Sequence, residues 1–244
     1  MGVGSESVFL EMEQPMEILD RFDGLHGKIT VVQERTTGAR LYLEEGIKQS
    51  YVLPGGSAGL DYVRLMWRLL QNASDIALFG CGGGALATEL YRCGCRVTVV
   101  DDNAISFEIA RRYFWMPGGV VCVSADMATF LESTPEIYGA IGVDVGGPDF
   151  DYEAVLDMPT CILLRQRLAE SGRIAINIAT EWVEENSLER IAARLRCDNL
   201  TVWICTEAPR KGRNALIVAA KRDNGASDMT AAATSLGFQS RRVI

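Results

Sequence analysis

From Asp75 onward, short apolar runs of β-forming residues alternate with runs of helical period, and nothing else in the chain constrains its fold as strongly. The β-type runs are Ile76 to Phe79, Arg96 to Val100, Val120 to Val123, Ala140 to Val143 and Ile174 to Ile178. Helical runs lie between them, near Ala85 to Tyr91, Ala104 to Phe114, Met127 to Glu132 and Thr160 to Ala169. A strand, a helix and a second strand close onto a parallel sheet by a right-handed crossover, so repeated alternation specifies a doubly wound sheet with helices on both faces. Pro159 stands where a first-turn proline is welcome, because the amide it lacks would be unpaired there in any case. After a further helix around Leu188 to Leu195, two strands follow with only a loop between them, Thr201 to Cys205 and Ala215 to Ala219. The expected fold class is therefore α/β, with a mostly parallel seven-stranded sheet that ends in an antiparallel hairpin.

Upstream of this alternation the pattern differs. Residues 1–15 are polar, show no period and read as a loose end. Residues 16–58 read as a small β-appendage: Lys28 to Glu34, Ala39 to Glu44 and Ile47 to Val52 are short alternating runs separated by turns at Gly38 and Gly46. Leu60, Val63, Met66, Trp67 and Leu70 recur at helical spacing and open the main domain, residues 59–222. Residues 223–244 read as a tail.

Bulk properties exclude several classes. A net charge of −8 argues against a general nucleic-acid binder, which needs clustered lysine and arginine to neutralise phosphates. No apolar stretch reaches the ~18 residues of a membrane span, and no basic-then-apolar leader opens the chain. A cytoplasmic protein with reduced thiols is expected. Of seven cysteines, Cys81, Cys122, Cys161 and Cys205 sit in apolar runs, where a free thiol behaves as a small hydrophobe. Cys93 and Cys95 have no second ligand pair nearby, and His26 is the sole histidine, so no metal is expected.

The chemistry is concentrated at strand ends. Ile76 to Phe79 runs into Gly80-Cys81-Gly82-Gly83-Gly84-Ala85, a strand, a glycine turn and a helix start. Such a turn lets backbone amides approach a ligand and aims a helix N-terminus at it. Alone, this pattern also fits a dinucleotide site or a plain tight turn. Asp101 ends the next strand about twenty residues on, where a carboxylate accepts ribose hydroxyls; its neighbour Asp102 is an alternative for the same part. Asp126 follows the third strand, placed to accept from an adenine amino group with Met127 packed on the ring, or else to cap a helix. Three successive strand ends with suitable chemistry favour a nucleoside site, with Gly80, Gly82, Gly84, Asp101, Asp102, Asp126 and Met127 as its residues. The terminal hairpin disfavours a nicotinamide-binding fold and is the ending expected of the Rossmann-like methyltransferase fold.

The segment from about Gly27 to Lys221 resembles the spermidine synthase family. Leu43-Glu44-Glu45-Gly46-Ile47-Lys48-Gln49 is similar to that family's "LDG-x-x-Q" segment, and Asp61-Tyr62-Val63-Arg64-Leu65-Met66 to its "E-Y-x-x-M/L" helix. The resemblance implies that Gln49 contacts S-adenosylmethionine or its decarboxylated form, and that Tyr62 lines the site. Asp144, which ends the fourth strand, stands at the first acid of the family's D-[ST]-[ST]-D-P motif, the proton acceptor for an attacking amine. Two positions depart from the pattern. Gly83 replaces the acid of the glycine loop that holds the donor's amine, and Gly147 replaces the second acid of the strand-end motif. Asp149, Asp151 and Glu153 keep the following loop acidic, with Asp149 and Asp151 as substrate-binding candidates. The resemblance also implies a homo-oligomer, a dimer or tetramer, assembled through the β-appendage.

Loss of an acid at Gly83 removes the charge that repels the carboxylate of ordinary S-adenosylmethionine. On that ground the sequence favours methyl transfer to a small acceptor, with aminopropyl transfer to an amine as the alternative. A nicotinamide oxidoreductase and a non-catalytic binding protein are the other classes weighed; the first lacks an evident hydride-site acid.

Overall fold

The computed structural model describes residues 15–147, 150–207, 214–221 and 226–243. The N-terminal strands β1 (Met16–Gly24), β2 (Gly27–Glu34), β3 (Arg40–Glu44) and β4 (Ile47–Val52) form a four-stranded antiparallel sheet in sequence order. The β3–β4 hairpin turns on Glu45 and Gly46, both at positive φ, the backbone that a two-residue turn of right-handed twist requires. β1 was not marked as a strand by the sequence. It is an edge strand with no fully buried residue, so it carries little hydrophobic alternation to detect.

The main sheet has the order β7 (Val121–Ser124), β6 (Arg96–Asp101), β5 (Asp75–Phe79), β8 (Tyr138–Val143), β9 (Leu168–Ala179), β11 (Asn214–Lys221), β10 (Leu200–Glu207), β12 (Phe238–Val243). Strands β5, β6, β7, β8 and β9 are parallel. β11 runs antiparallel between β9 and β10, the expected closing hairpin. The chain leaves β5 in one direction through β6 and β7, then returns to place β8 on its other side. That reversal is a topological switch point, where the carboxyl ends of β5 and β8 leave a crevice.

Helices cover both faces. One core cluster joins α1 (Asp61–Leu70), α2 (Ala85–Arg92), α3 (Ile105–Tyr113) and α8 (Ala226–Ser235) to the sheet. The other joins α4 (Met127–Ser133), α5 (Tyr152–Val155), α6 (Met158–Gln166) and α7 (Ser187–Leu195). Asp157 caps α6 by accepting the Thr160 N–H at 2.8 Å, and Pro159 falls in its first turn as expected. None of the helices among the described residues is long and apolar enough to cross a membrane.

Two docking features matter for the site. The N-terminal sheet packs on the C-terminal end of α3, where Ile29, Val31, Tyr42 and Val52 bury against Ile109 and Phe114. Arg40 reinforces this contact by lying 4.4 Å over the Trp115 ring. The second feature departs from the expected tail. Residues 226–235 form α8, and β12 (Phe238–Val243) pairs antiparallel with β10 as an eighth strand. Met229, Ala233 and Phe238 are buried in the first core cluster. The alanine-rich run Ala231 to Ala233 packs by small side chains and so lacks the large apolar stripe by which a helix is recognised.

Phe238→Ala should accordingly cost about 3–5 kcal/mol, the range for deleting a buried aromatic ring, because Phe238 is only 2% exposed. Urea unfolding followed by circular dichroism measures it; a loss below ~1 kcal/mol would mean that the segment is not part of the core.

Candidate active site

The site is built outward from the turn after β5. Gly80 has φ +93, and a Cβ placed there would lie 2.1 Å from the Asp144 carbonyl oxygen. Only glycine permits this approach, which brings the ends of β5 and β8 together; the Asp144 N–H in turn donates to the Phe79 carbonyl at 2.8 Å. Gly82 and Gly84 also have positive φ, and Gly84 occupies the N-cap of α2. The glycine loop is held from above by β4, where Ser50 Oγ accepts the Gly83 N–H at 2.9 Å.

Asp101, at the end of β6, is oriented by two backbone donors. Its Oδ2 accepts the Cys81 N–H at 2.7 Å and its Oδ1 accepts the Asn103 N–H at 2.8 Å. Burial pushes its carboxyl up, and these two bonds pull it back down. A carboxylate offers about four acceptor sites, so both oxygens retain capacity for hydroxyl donors. Asp102 is engaged otherwise: His26, in the β1–β2 turn, bonds it through Nε2 at 2.9 Å and 3.0 Å to its two oxygens. Asp102 in turn raises the His26 ionisation, a partnership invisible across the intervening sequence.

Asp126 caps α4, its Oδ1 accepting the Thr129 N–H at 3.0 Å. Met127 is 6% exposed and packs in the core cluster that contains Phe79 and Val100.

Asp144 is the carboxylate at the switch point. Its Oδ2 accepts from the Tyr62 hydroxyl at 3.3 Å, and its Oδ1 accepts from Asn177 Nδ2 at 2.9 Å. Removal from water raises its carboxyl to about 6; the bonds from Asn177 and Tyr62 oppose that rise. Gln49, Tyr51, Tyr62, Gly80, Cys81 and Asp144 line one cleft. Four expected residues therefore meet there, with Gly82 and Gly84 in the loop behind them. Sequence reasoning missed Ser50 and Asn177. A polar residue inside the apolar run Ile174 to Ile178 was the signal available for the second; Ser50 carried none.

The described acids of the loop after Asp144 are engaged by local partners. Asp149 lies outside the described residues. Asp151 caps α5, accepting the Glu153 and Ala154 N–H groups at 3.0 Å each. Glu153 is paired with Arg190 and Arg194 and bonded by Ser187, and the Arg190 and Ser187 bonds chiefly hold its carboxyl down at about 2. Its charge is thus neutralised by α7 and adds nothing to the cleft.

No family model matches the sequence, and no curated protein matches it. Solved structures do. A probable spermidine synthase from Corynebacterium glutamicum ATCC 13032 matches at TM-score 0.76 and 18% identity, over 93% of this chain and 91% of that one. The fold is that of the spermidine synthases. A spermidine synthase in complex with the transition-state analogue AdoDATO matches at TM-score 0.64 and 13% identity, over 86% of this chain and 75% of the other. The spermidine synthase from Thermotoga maritima gives the same score and identity, over 86% and 74%.

On the synthase fold, the position of Gly83 is closed. A Cβ there would meet Val52 Cγ2 at 3.0 Å, Phe114 Cδ1 at 3.1 Å and Ser50 Cβ at 3.2 Å. The space is filled by neighbouring side chains, and the Gly83 amide is already bonded to Ser50. Loss of the acid at Gly83 therefore leaves no open space at its Cβ position.

The state of Asp144 can be checked without any substrate. Its folded carboxyl, at about 6, lies above its ordinary value of 3.8, so the folded protein holds that proton more tightly than the unfolded chain. Ionisation therefore destabilises the fold progressively as pH rises from about 4 to about 6, and fully above that window. Asp144→Asn should be more stable than the wild type at pH 7–8, with the difference shrinking on acidification and gone below about pH 4. Urea unfolding of both proteins across this range decides it; a difference independent of pH would contradict the burial account.

Proposed function

We propose that this protein is an aminopropyltransferase, which moves the aminopropyl group of decarboxylated S-adenosylmethionine to a small amine acceptor. The observation that carries the reading is the Asp144 carboxylate, set at the switch point beside the glycine turn and oriented by Tyr62 and Asn177. Likeness to spermidine synthases supports aminopropyl transfer over the methyl transfer favoured by sequence departures alone.

The residues present suit a nucleoside donor. Asp101, pinned by two backbone amides, takes the ribose hydroxyls, while Asp102 is committed to His26. The glycine turn allows the nucleoside to approach the end of β5, and Gln49 and Tyr51 of β4 close the cleft from the opposite side. Asp126 keeps its second oxygen for the adenine amino group. The sulfonium donor supplies a carbon whose bond to sulfur breaks as the acceptor nitrogen attacks, leaving a neutral thioether.

Asp144 then has two tasks. As a carboxylate it attracts and orients the acceptor amine; as the new carbon–nitrogen bond forms it accepts the proton that nitrogen must lose. A carboxyl near 6 is better matched to this than an ordinary aspartate, because it is mostly ionised at neutral pH and still a useful base. Tyr62, pushed well above its ordinary value by burial first and by Asp144 second, stays a neutral donor throughout. Most of the acceleration in such a displacement comes from holding nitrogen, carbon and sulfur in line.

Incubation with decarboxylated S-adenosylmethionine and a panel of diamines, followed by mass spectrometry, should show aminopropylated product. Asp144→Asn should lower turnover by ~10²–10⁴-fold, the usual contribution of a positioned acid–base group, and leave donor affinity within about twofold. Methylated product from ordinary S-adenosylmethionine, with none from the decarboxylated donor, would overturn the proposal.

A further inference from the structure

Asn177 sits in the interior of β9 among Ile174, Ala175, Ile176, Ile178 and Ala179, all of them buried, and is itself 6% exposed. An amide in that setting destabilises a sheet unless it is paired. Its pairing is one-sided. Nδ2 donates to Asp144 Oδ1 on the neighbouring end of β8 at 2.9 Å, while its own Oδ1 is buried without a hydrogen-bond partner. A leucine of similar size would fill the position and leave no orphaned carbonyl. The chain thus tolerates an unpaired buried oxygen in order to present an N–H to one carboxylate. Departures of this kind from local stability concentrate at functional sites.

The direction of the amide is determined by its neighbour. Against an ionised Asp144, the reverse orientation would set two acceptors face to face, so Nδ2 must point at the carboxylate. Among the described residues, the other titratable groups facing Asp144 are phenols: Tyr62 on α1, and Tyr152 on α5, which burial chiefly pushes to about 12. Neither carries charge near neutral pH. Apart from burial, what acts on the ionisation of Asp144 is the pair of bonds from Asn177 and Tyr62, with Asn177 the larger influence.

We propose that Asn177 is a positioning residue for the transfer: its amide N–H fixes the orientation of the Asp144 carboxylate and holds it ionised until the acceptor's proton arrives. This rests on the assignment of Asp144 as proton acceptor. Two consequences follow from the geometry. With the N–H removed, Asp144 is free to rotate about its side chain, held only by the longer Tyr62 bond. Its ionised form also loses its nearer donor, so the carboxyl must titrate at higher pH.

The test is a carboxyl-carbon NMR titration of the intact protein, with the Asp144 signal identified by its absence in Asp144→Asn. The midpoint should rise by about one pH unit or more in Asn177→Leu, and likewise in Asn177→Ala, the scale of one lost charge-assisted hydrogen bond. In the wild type, where no variant need fold, the side-chain amide signal of Asn177 should titrate with the same midpoint as Asp144. In turnover, the acidic limb of kcat/KM should move up with the NMR midpoint while donor affinity stays within about twofold. A wild-type amide signal that does not respond to Asp144, or a midpoint unchanged in the variants, would overturn the proposal. Failure of the underlying assignment looks different: Asp144→Asn would then retain turnover although the Asn177 variants still shift the Asp144 midpoint.

Discussion

A carboxylate kept largely out of water at the end of β8 is the constraint to which the rest of the site answers. Burying an unpaired charge costs several kcal/mol, and proteins usually offset it with a cation. Here the offset comes from two neutral donors, Tyr62 and Asn177. A lysine or arginine in their place would stabilise the carboxylate further but depress its basicity. Neutral donors preserve it, so that Asp144 titrates near 6. The flat contact with Gly80 is the backbone half of the same arrangement, because without it Asp144 could not lie against the glycine turn.

The N-terminal sheet is the second half of the cleft. Its docking on α3 through Ile29, Val31, Tyr42 and Val52 carries β4 over the glycine loop, and Ser50 closes the contact with a hydrogen bond. Gln49 and Tyr51 flank that serine and line the cleft. Cleft lining and domain docking thus share one strand, which couples the position of the cleft wall to the packing beneath it. The His26–Asp102 bond adds a second tie, between the β1–β2 turn and the end of β6.

Much of this was legible in the residues. Gly80, Asp101, Asp126 and Asp144 all lie at strand ends, where the position of a residue in the fold follows from counting along a local pattern. What escaped depended on partners distant in sequence. Glu153 reads as a free acid until α7 brings Arg190 and Arg194 to it. Ser50 is an ordinary strand serine until β4 meets the glycine loop. Gly83 reads as an opening until Val52 and Phe114 are seen to fill it. The eighth strand was missed because α8 packs through alanine and one methionine, too weak a stripe to register. In each case the missing information was three-dimensional proximity, which neither propensity nor periodicity encodes.

The account stands or falls on the placement of a sulfonium nucleoside between Asp101 and Asp144. A crystal structure with decarboxylated S-adenosylmethionine bound measures this directly. The account predicts ribose hydroxyls on the Asp101 carboxylate, a ribose-free Asp102 still bonded to His26, and the carbon to be transferred facing Asp144 from the glycine turn. A ligand that leaves Asp101 uncontacted, or whose sulfonium carbon points away from Asp144, would contradict it.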